Sequence, residues 1–306
     1  MEKQDSKTKK VIVWSLLGVV AFLWGISFLA STVALRSVEP LELLSVRWTV
    51  AAVLFVLLIS FGIVKVNYKG KPTKYLLLMA FVQPCLYSLF ELLGIKYTTT
   101  STSSIVISLI SIMVIIISAI FLKEHYGRKV KIAVVVAFLG VITTTVFAPD
   151  FSLGGELKGF LYLFIAITLG AIYNIIVNKL SAHYSVVEMT TVMTISGAVF
   201  YNIISLLQGN GIHPYAMVIE DGSFALSSLY LGIGCSFGAY FIYNYILSKL
   251  PPGIASCLQV NGITLVGVVA GVVVAGDPFG WYTVVGIILL AIGIAIASLE
   301  GNNDIS

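Results

Sequence analysis

Gln83, Tyr87 and Glu91 recur every four residues inside an otherwise apolar stretch from Phe81 to Tyr97, so a helix stacks all three on one face. A carboxylate in such a stretch is expensive to bury, and its chemistry is limited to pairing with a base, holding an ammonium, or exchanging a proton. The stripe returns 153 residues later as Ser236, Tyr240 and Asn244, with Lys96 matched by Lys249. One further charge, Arg47, sits inside an apolar run, and a guanidinium is suited to bidentate capture of a carboxylate. Two readings of Arg47 and Glu91 stand side by side. In one they form a direct ion pair, which lets two costly charges coexist. In the other they open around a zwitterion, with Arg47 on its carboxylate and Glu91 on its ammonium. Glu91 is also the candidate for proton coupling.

Other polar residues share faces in the same way. Ser104, Ser108 and Ser111 form one set, Cys257, Asn261 and Thr264 their counterparts, and Asn174 and Asn178 a third. Buried carboxamides need partners or water, whereas serines and threonines commonly bond their own helix backbone. Trp24, Tyr87 and Tyr240 carry ring faces that suit a cation, although such rings also serve as packing. The substrate-binding set read from the sequence is therefore Trp24, Arg47, Gln83, Tyr87, Glu91, Ser108, Asn174, Asn178, Tyr240, Asn244 and Asn261.

What positions these residues follows from composition. Of 306 residues, 58% are hydrophobic and 10% charged, with a mean hydropathy of +1.02; soluble domains run nearer a quarter charged. The fold class expected is an all-α integral membrane protein. Apolar runs long enough to span a bilayer fall near 11–35, 41–64, 74–96, 99–122 and 129–147, then 156–180, 186–207, 223–250, 253–275 and 279–299. Pro40, Pro251-Pro252 and Asp277-Pro278 mark helix starts, the last as N-cap and first residue of the tenth helix. The first run is too long for a signal peptide, despite Thr32-Val33-Ala34 as a weak cleavage pattern.

Charge orients the bundle. Lys3, Lys7, Lys9 and Lys10, Lys65 to Lys74, Lys123 to Lys131, Lys179 and Lys249 gather on one side, against Arg36, Lys96 and Lys158 on the other. The positive-inside rule then puts both termini in the cytoplasm. An odd number of helices per half makes the second half enter upside down, giving two inverted five-helix repeats, 11–147 and 156–299, between cytoplasmic tails at 1–10 and 300–306. Leu122 to Gly127 with Gly140, and Ala275 to Gly280 with Gly293, repeat the same 153-residue offset. Inverted halves are an arrangement of secondary transporters, with sites at the repeat interface near the midplane.

Trp24-Gly25 with Phe28, Pro40 followed by Arg47, and Glu124 before Gly127 and Gly140 together resemble EamA-type carriers of the drug/metabolite transporter superfamily. The resemblance covers the whole chain. It implies a ten-helix protein of the cytoplasmic membrane with a cavity lined by helices 1 to 4 and 6 to 9, and helices 5 and 10 packed to one side. It also implies transport of amino acids, amines, sugars or nucleotide-type metabolites, often outward. Tyr173-Asn174 departs from the family pattern, which frequently has Trp and a small residue there.

The residues therefore predict a secondary-active transporter of small metabolites, most directly an exporter of amino acids or related amines, acting as a monomer or homodimer in the lipid bilayer. A channel or non-transporting receptor is the rival of another class, and needs no inverted halves. His125, His183 and His213 fall in or beside loops without metal spacing, and no nucleophile elbow or phosphate loop is present, so no enzyme, cofactor or metal is expected. The net charge of +4 lies in loops that suit lipid headgroups rather than nucleic acid. Cys85, Cys235 and Cys257 read as buried free thiols. Gln208 to Gly222, the longest loop on its side, reads as a lid or a solvated linker.

Overall fold

A computed structural model describes residues 2–121, 127–149 and 155–303, with side chains from 12–121, 127–149 and 157–296. Lys123, Glu124 and Asp150 lie outside those described, as do the side chains of both tails, the N-terminal lysines' among them. Every regular element among the described residues is helical. Among the described residues nine helices are long and apolar enough to cross a membrane: α1 (Ile12–Ala34), α2 (Pro40–Ser60), α3 (Thr73–Lys96), α4 (Thr100–Phe121), α5 (Arg128–Val146), α6 (Leu157–Leu180), α7 (Val186–Leu207), α8 (Gly222–Leu247) and α9 (Pro252–Ala275). The tenth, α10, contributes the shorter apolar stretch Trp281–Ile296.

The burial pattern is that of a protein solvated by lipid. Phe22, Leu161 and Leu265 are exposed on the outside, whereas Arg47, Gln83, Asn174 and Asn244 are buried. An apolar exterior is stable only where hydrocarbon replaces water, and helices are the elements that satisfy their own backbone there. The three cysteines are buried free thiols.

Helix ends follow local chemistry. Pro40 and Pro252 occupy first-turn positions, where a missing N–H costs nothing. A capping box closes the start of α7, with the Ser185 hydroxyl accepting from the Glu188 N–H and the Glu188 carboxylate accepting from the Ser185 N–H. Asp277-Pro278 does not start α10, which begins at Trp281. The Asp277 carboxylate instead accepts from the Ser101 N–H at 2.6 Å, so it caps the beginning of α4 across the repeat boundary.

The halves meet through close backbone approaches. A Cβ at Gly140 would stand 2.6 Å from the Gly286 carbonyl oxygen, and one at Gly293 2.7 Å from that of Ala133, so α5 and α10 lie directly against each other. The repeated glycines of the two halves thus mark one seam, beside the bundle that holds the polar residues. Gly267 makes a similar approach to Ser104, joining α9 to α4.

Candidate functional site

The third helix is interrupted where its polar stripe begins. Gln83 leaves helical dihedrals (φ −133°, ψ 115°) and Pro84 follows it inside the segment; proline removes a donor and crowds the preceding turn. Backbone groups freed in a membrane must find partners. The buried Tyr201 hydroxyl from α7 supplies one, lying 3.0 Å from the Pro84 carbonyl oxygen and 2.8 Å from that of Cys85. The inverted counterpart in α8 is irregular too, with wide π-type turns over Tyr230–Ala239, a feature that recurs at functional sites.

Between these two interrupted helices lies a cavity, partly open to its surroundings. Eight of the sequence-nominated residues line it: Trp24, Arg47, Gln83, Tyr87, Glu91, Ser108, Asn174 and Tyr240. The lining comes from α1, α2, α3, α4, α6, α8 and α9. Helix α7, expected among the lining helices, contributes none of these residues. It stands one layer back, bracing the α3 break through Tyr201 and Asn244 through Thr190.

Arg47 and Glu91 do not form the direct ion pair considered above. Between described residues, Lys71 pairs with Glu188 and Lys96 with Glu39, and His213 Nδ1 lies 2.8 Å from Glu42. Arg47, 4% exposed, is held from behind by its Nε, which donates to the Ser236 hydroxyl at 2.7 Å. Its guanidinium lies 5.6 Å from the centre of the Trp48 ring. The Tyr87 hydroxyl donates to one oxygen of Glu91 at 2.7 Å. Each charge thus meets a neutral hydroxyl, and both line the same cavity.

Around them stands an aromatic wall. Trp24 meets Tyr240 and Tyr243 edge-on, with centroids 4.8 and 5.1 Å apart. The Gln83 amide nitrogen donates to the Tyr240 hydroxyl, joining the stripes of the two repeats, while the Gln83 carboxamide oxygen is buried without a partner.

Three nominated residues lie elsewhere. Asn261 is exposed on the outer face of α9. Asn178 donates to the Leu247 and Leu250 carbonyls at 2.8 and 3.2 Å, capping the end of α8. Asn244 is fully buried behind the cavity, accepting from the Tyr173 hydroxyl at 2.5 Å and donating to Thr190 at 3.0 Å. Cys257 and Thr264 are buried in helix packing, and Ser104, Ser108 and Ser111 all donate to their own backbone. On α9 the cavity face is Ser256, Gln259, Val260 and Ile263. Residues 259 and 261 are about 200° apart on a helix, so choosing Asn261 missed Gln259. Tyr173 and Tyr243 were also missed; a tyrosine in an apolar run reads equally well as packing.

The Gln208 to Gly222 connection contains a short helix, His213–Glu220. The Tyr215 hydroxyl lies 2.7 Å from the Asn202 carboxamide oxygen and 2.9 Å from the Thr49 hydroxyl, and His213 Nδ1 lies 2.8 Å from Glu42. It is a docked segment rather than a solvated linker.

Comparison with known proteins assigns this architecture. The model of the EamA-like transporter family matches residues 11–146 and again 157–299. The chain belongs to this family. The family forms part of the drug/metabolite transporter superfamily, and an EamA-like chain is a membrane transporter. Similar proteins include the uncharacterized transporter YcxC of Bacillus subtilis, 28% identical over 92% of this chain and 90% of that protein. An uncharacterized transporter of Archaeoglobus fulgidus is also 28% identical, over 92% of this chain and 97% of its own. A solved crystal structure superimposes with a TM-score of 0.72 at 15% identity, covering 97% of this chain and 99% of that one, which makes the fold common to both. For an EamA-like transporter the solvent is the bilayer, the ligand a small molecule, and the family and relatives point to transport rather than catalysis.

Proposed function

We propose that this transporter is a secondary-active, alternating-access exporter of small zwitterions of the amino-acid or related amine class. The observation that carries this reading is that Arg47 and Glu91 face one cavity without closing on each other. Among the described residues the terminal guanidinium nitrogens of Arg47 and the second oxygen of Glu91 make no hydrogen bond. Unspent donors on one side and an unspent acceptor on the other are complementary to a carboxylate and an ammonium. A sugar offers hydroxyls alone and leaves two buried charges without counter-ions, which is costly.

Two inverted repeats with breaks in corresponding helices supply the second state that alternating access requires. Glu91 is the group that exchanges a proton for substrate, and no other cofactor takes part. The gathering of Lys65, Lys69, Lys71 and Lys74 on one side supports a cytoplasmic-membrane orientation with both termini inside.

The test is reconstitution in liposomes and comparison of amino acids, polyamines, quaternary amines and sugars, with and without a pH gradient. Zwitterions are expected to accumulate and to respond to the gradient. Preferential sugar uptake, or unchanged apparent affinity for a zwitterion in a stable Arg47→Gln, Glu91→Gln protein, overturns the reading.

A further inference from the structure

The cavity has a second polar feature that the two charges do not use. Gln259 is 3% exposed and lines the cavity, yet its amide nitrogen has no partner. Among the described residues neither end of this carboxamide makes a hydrogen bond. An amide buried unsatisfied costs about 1–3 kcal/mol, and native proteins keep few such groups. The Ser256 hydroxyl, one turn away on the same helix, gives its proton to the Pro252 and Gly253 carbonyls. Of the other lining residues toward this end, Val260 is apolar, while Asn174, six residues before the end of α6, and Tyr243, four before that of α8, are polar and uncharged.

Position along the bundle separates Gln259 from the charges. Helices α3 and α9 run the same way, because Asp277, just past the end of α9, caps the start of α4, just past the end of α3. Glu91 lies five residues before Lys96 at one end, and Gln259 seven residues after Pro252 at the other. At about 1.5 Å rise per residue, some 15–20 Å of helix axis separates them. Both residues line the same cavity, so a ligand whose head lies at Arg47 and Glu91 extends its side chain toward Gln259.

We infer that Gln259 determines specificity at a second subsite, which takes a neutral tail able both to donate and to accept a hydrogen bond, such as a carboxamide, ureido or hydroxyl group. The inference rests on the placing of the zwitterion's head at Arg47 and Glu91. A carboxamide tail pairs with Gln259 through two hydrogen bonds whichever way round the glutamine amide lies. A charged tail meets no counter-ion here, since Arg47 and Glu91 are the only charged residues of the lining. An apolar tail leaves the glutamine unpaired, the circumstance in which a polar site discriminates strongly.

The experiment measures binding of glutamine, methionine and lysine, three ligands of similar length, to the purified full-length protein by calorimetry. The wild-type protein is expected to prefer glutamine over methionine at least tenfold and to bind lysine weakest. Gln259→Met is expected to abolish the preference while holding methionine affinity within threefold, a binding readout that also reports its folding. Gln259→Glu, which keeps the shape, is expected to move the preference to lysine. Equal binding of glutamine and methionine by the wild type, or a preference that survives both substitutions, overturns the subsite alone. If none of the three binds, the headgroup reading falls and this one with it.

Discussion

The Nε of Arg47 donates to the hydroxyl of Ser236 at 2.7 Å, tying α2 of the first repeat to α8 of the second. Ser236 stands at the place in the repeat that Gln83 holds in α3. The tie orients the guanidinium without neutralising it, since a serine contributes no charge. A hydrogen bond to a charged group contributes about 1.5–3 kcal/mol. Ser236→Ala is expected to raise the apparent KM for a zwitterion roughly tenfold and to lower the melting temperature in detergent by a few degrees. An unchanged KM would mean that the remaining packing, with Trp48 beside the guanidinium, is sufficient to hold it.

Coupling is tested at Glu91. Glu91→Gln is expected to lose proton-driven accumulation in liposomes while retaining some exchange of substrate across the membrane at equal pH. Asp221, the titratable cap outside the span, does not confuse the measurement. The Ser37 hydroxyl, then the Ser223 hydroxyl and backbone N–H groups, hold its carboxyl down at about 2 from 3.8. Whatever it stabilises is therefore present above the usual carboxylate value and is lost only as pH falls through about 2. Between pH 5 and 8 the Ser37–Asp221 tie is constant, and normal gradient-driven transport by Glu91→Gln would remove the proton role from this residue.

The stripe on α3 is legible in the sequence because one charge in an apolar run has a single cheap orientation, toward other polar groups. Its exact geometry is not, because Gln83 leaves the helix and reaches Tyr240 by a broken backbone. The α9 face is misread for a related reason. Its outer surface is as apolar as its packed surface, so a lone asparagine carries no periodic signal to orient it, and Asn261 is exposed while Gln259 is buried. Asn244 shows the limit of reasoning by duplication. It occupies the place of Glu91 in the second repeat, but Tyr173 reaches it and closes it behind the cavity. The glycine seam of α5 and α10 is legible since a close backbone approach excludes every larger residue.

That seam should be separable from the site. A Cβ at Gly140 would stand 2.6 Å from the Gly286 carbonyl oxygen and 2.8 Å from the Leu290 backbone nitrogen, neither of which can rotate away. Gly140→Leu is expected to lower thermal stability and yield markedly, through overpacking worth about 1–3 kcal/mol or more. The protein that survives purification should keep its substrate affinity, because neither helix lines the cavity. A large change in affinity at unchanged stability would place α5 in the transport cycle.

Orientation is tested by accessibility. A cysteine in place of Glu220, at the end of the short helix between α7 and α8, is expected to react with an impermeant maleimide in intact cells, and one in place of Lys69, between α2 and α3, only after lysis. The reverse pattern would turn the bundle over and put Glu91 near the cytoplasm.

The break in α3 supplies the last prediction. Tyr201→Phe removes one hydroxyl and nothing else, taking from the Pro84 and Cys85 carbonyl oxygens the side-chain donor they share in a place that water does not readily reach; the Pro84 oxygen keeps the Tyr87 N–H. The cost of leaving buried acceptors unsatisfied is about 1–3 kcal/mol, so the melting temperature in detergent should fall by several degrees. Because Gln83 sits on the other side of the same break and joins Tyr240 across the cavity, the variant should also bind substrate more weakly, by an expected few-fold, despite Tyr201 lying outside the cavity lining. Gly197 gives an independent way to disturb the same place, since a Cβ there would lie 2.5 Å from the Pro84 ring and 2.9 Å from Trp48. If Tyr201→Phe loses stability while Gly197→Ala and Tyr201→Phe both keep full affinity, the break is a packing feature alone. Weakened binding in both ties the irregular backbone to the position of Gln83 and hence to the site.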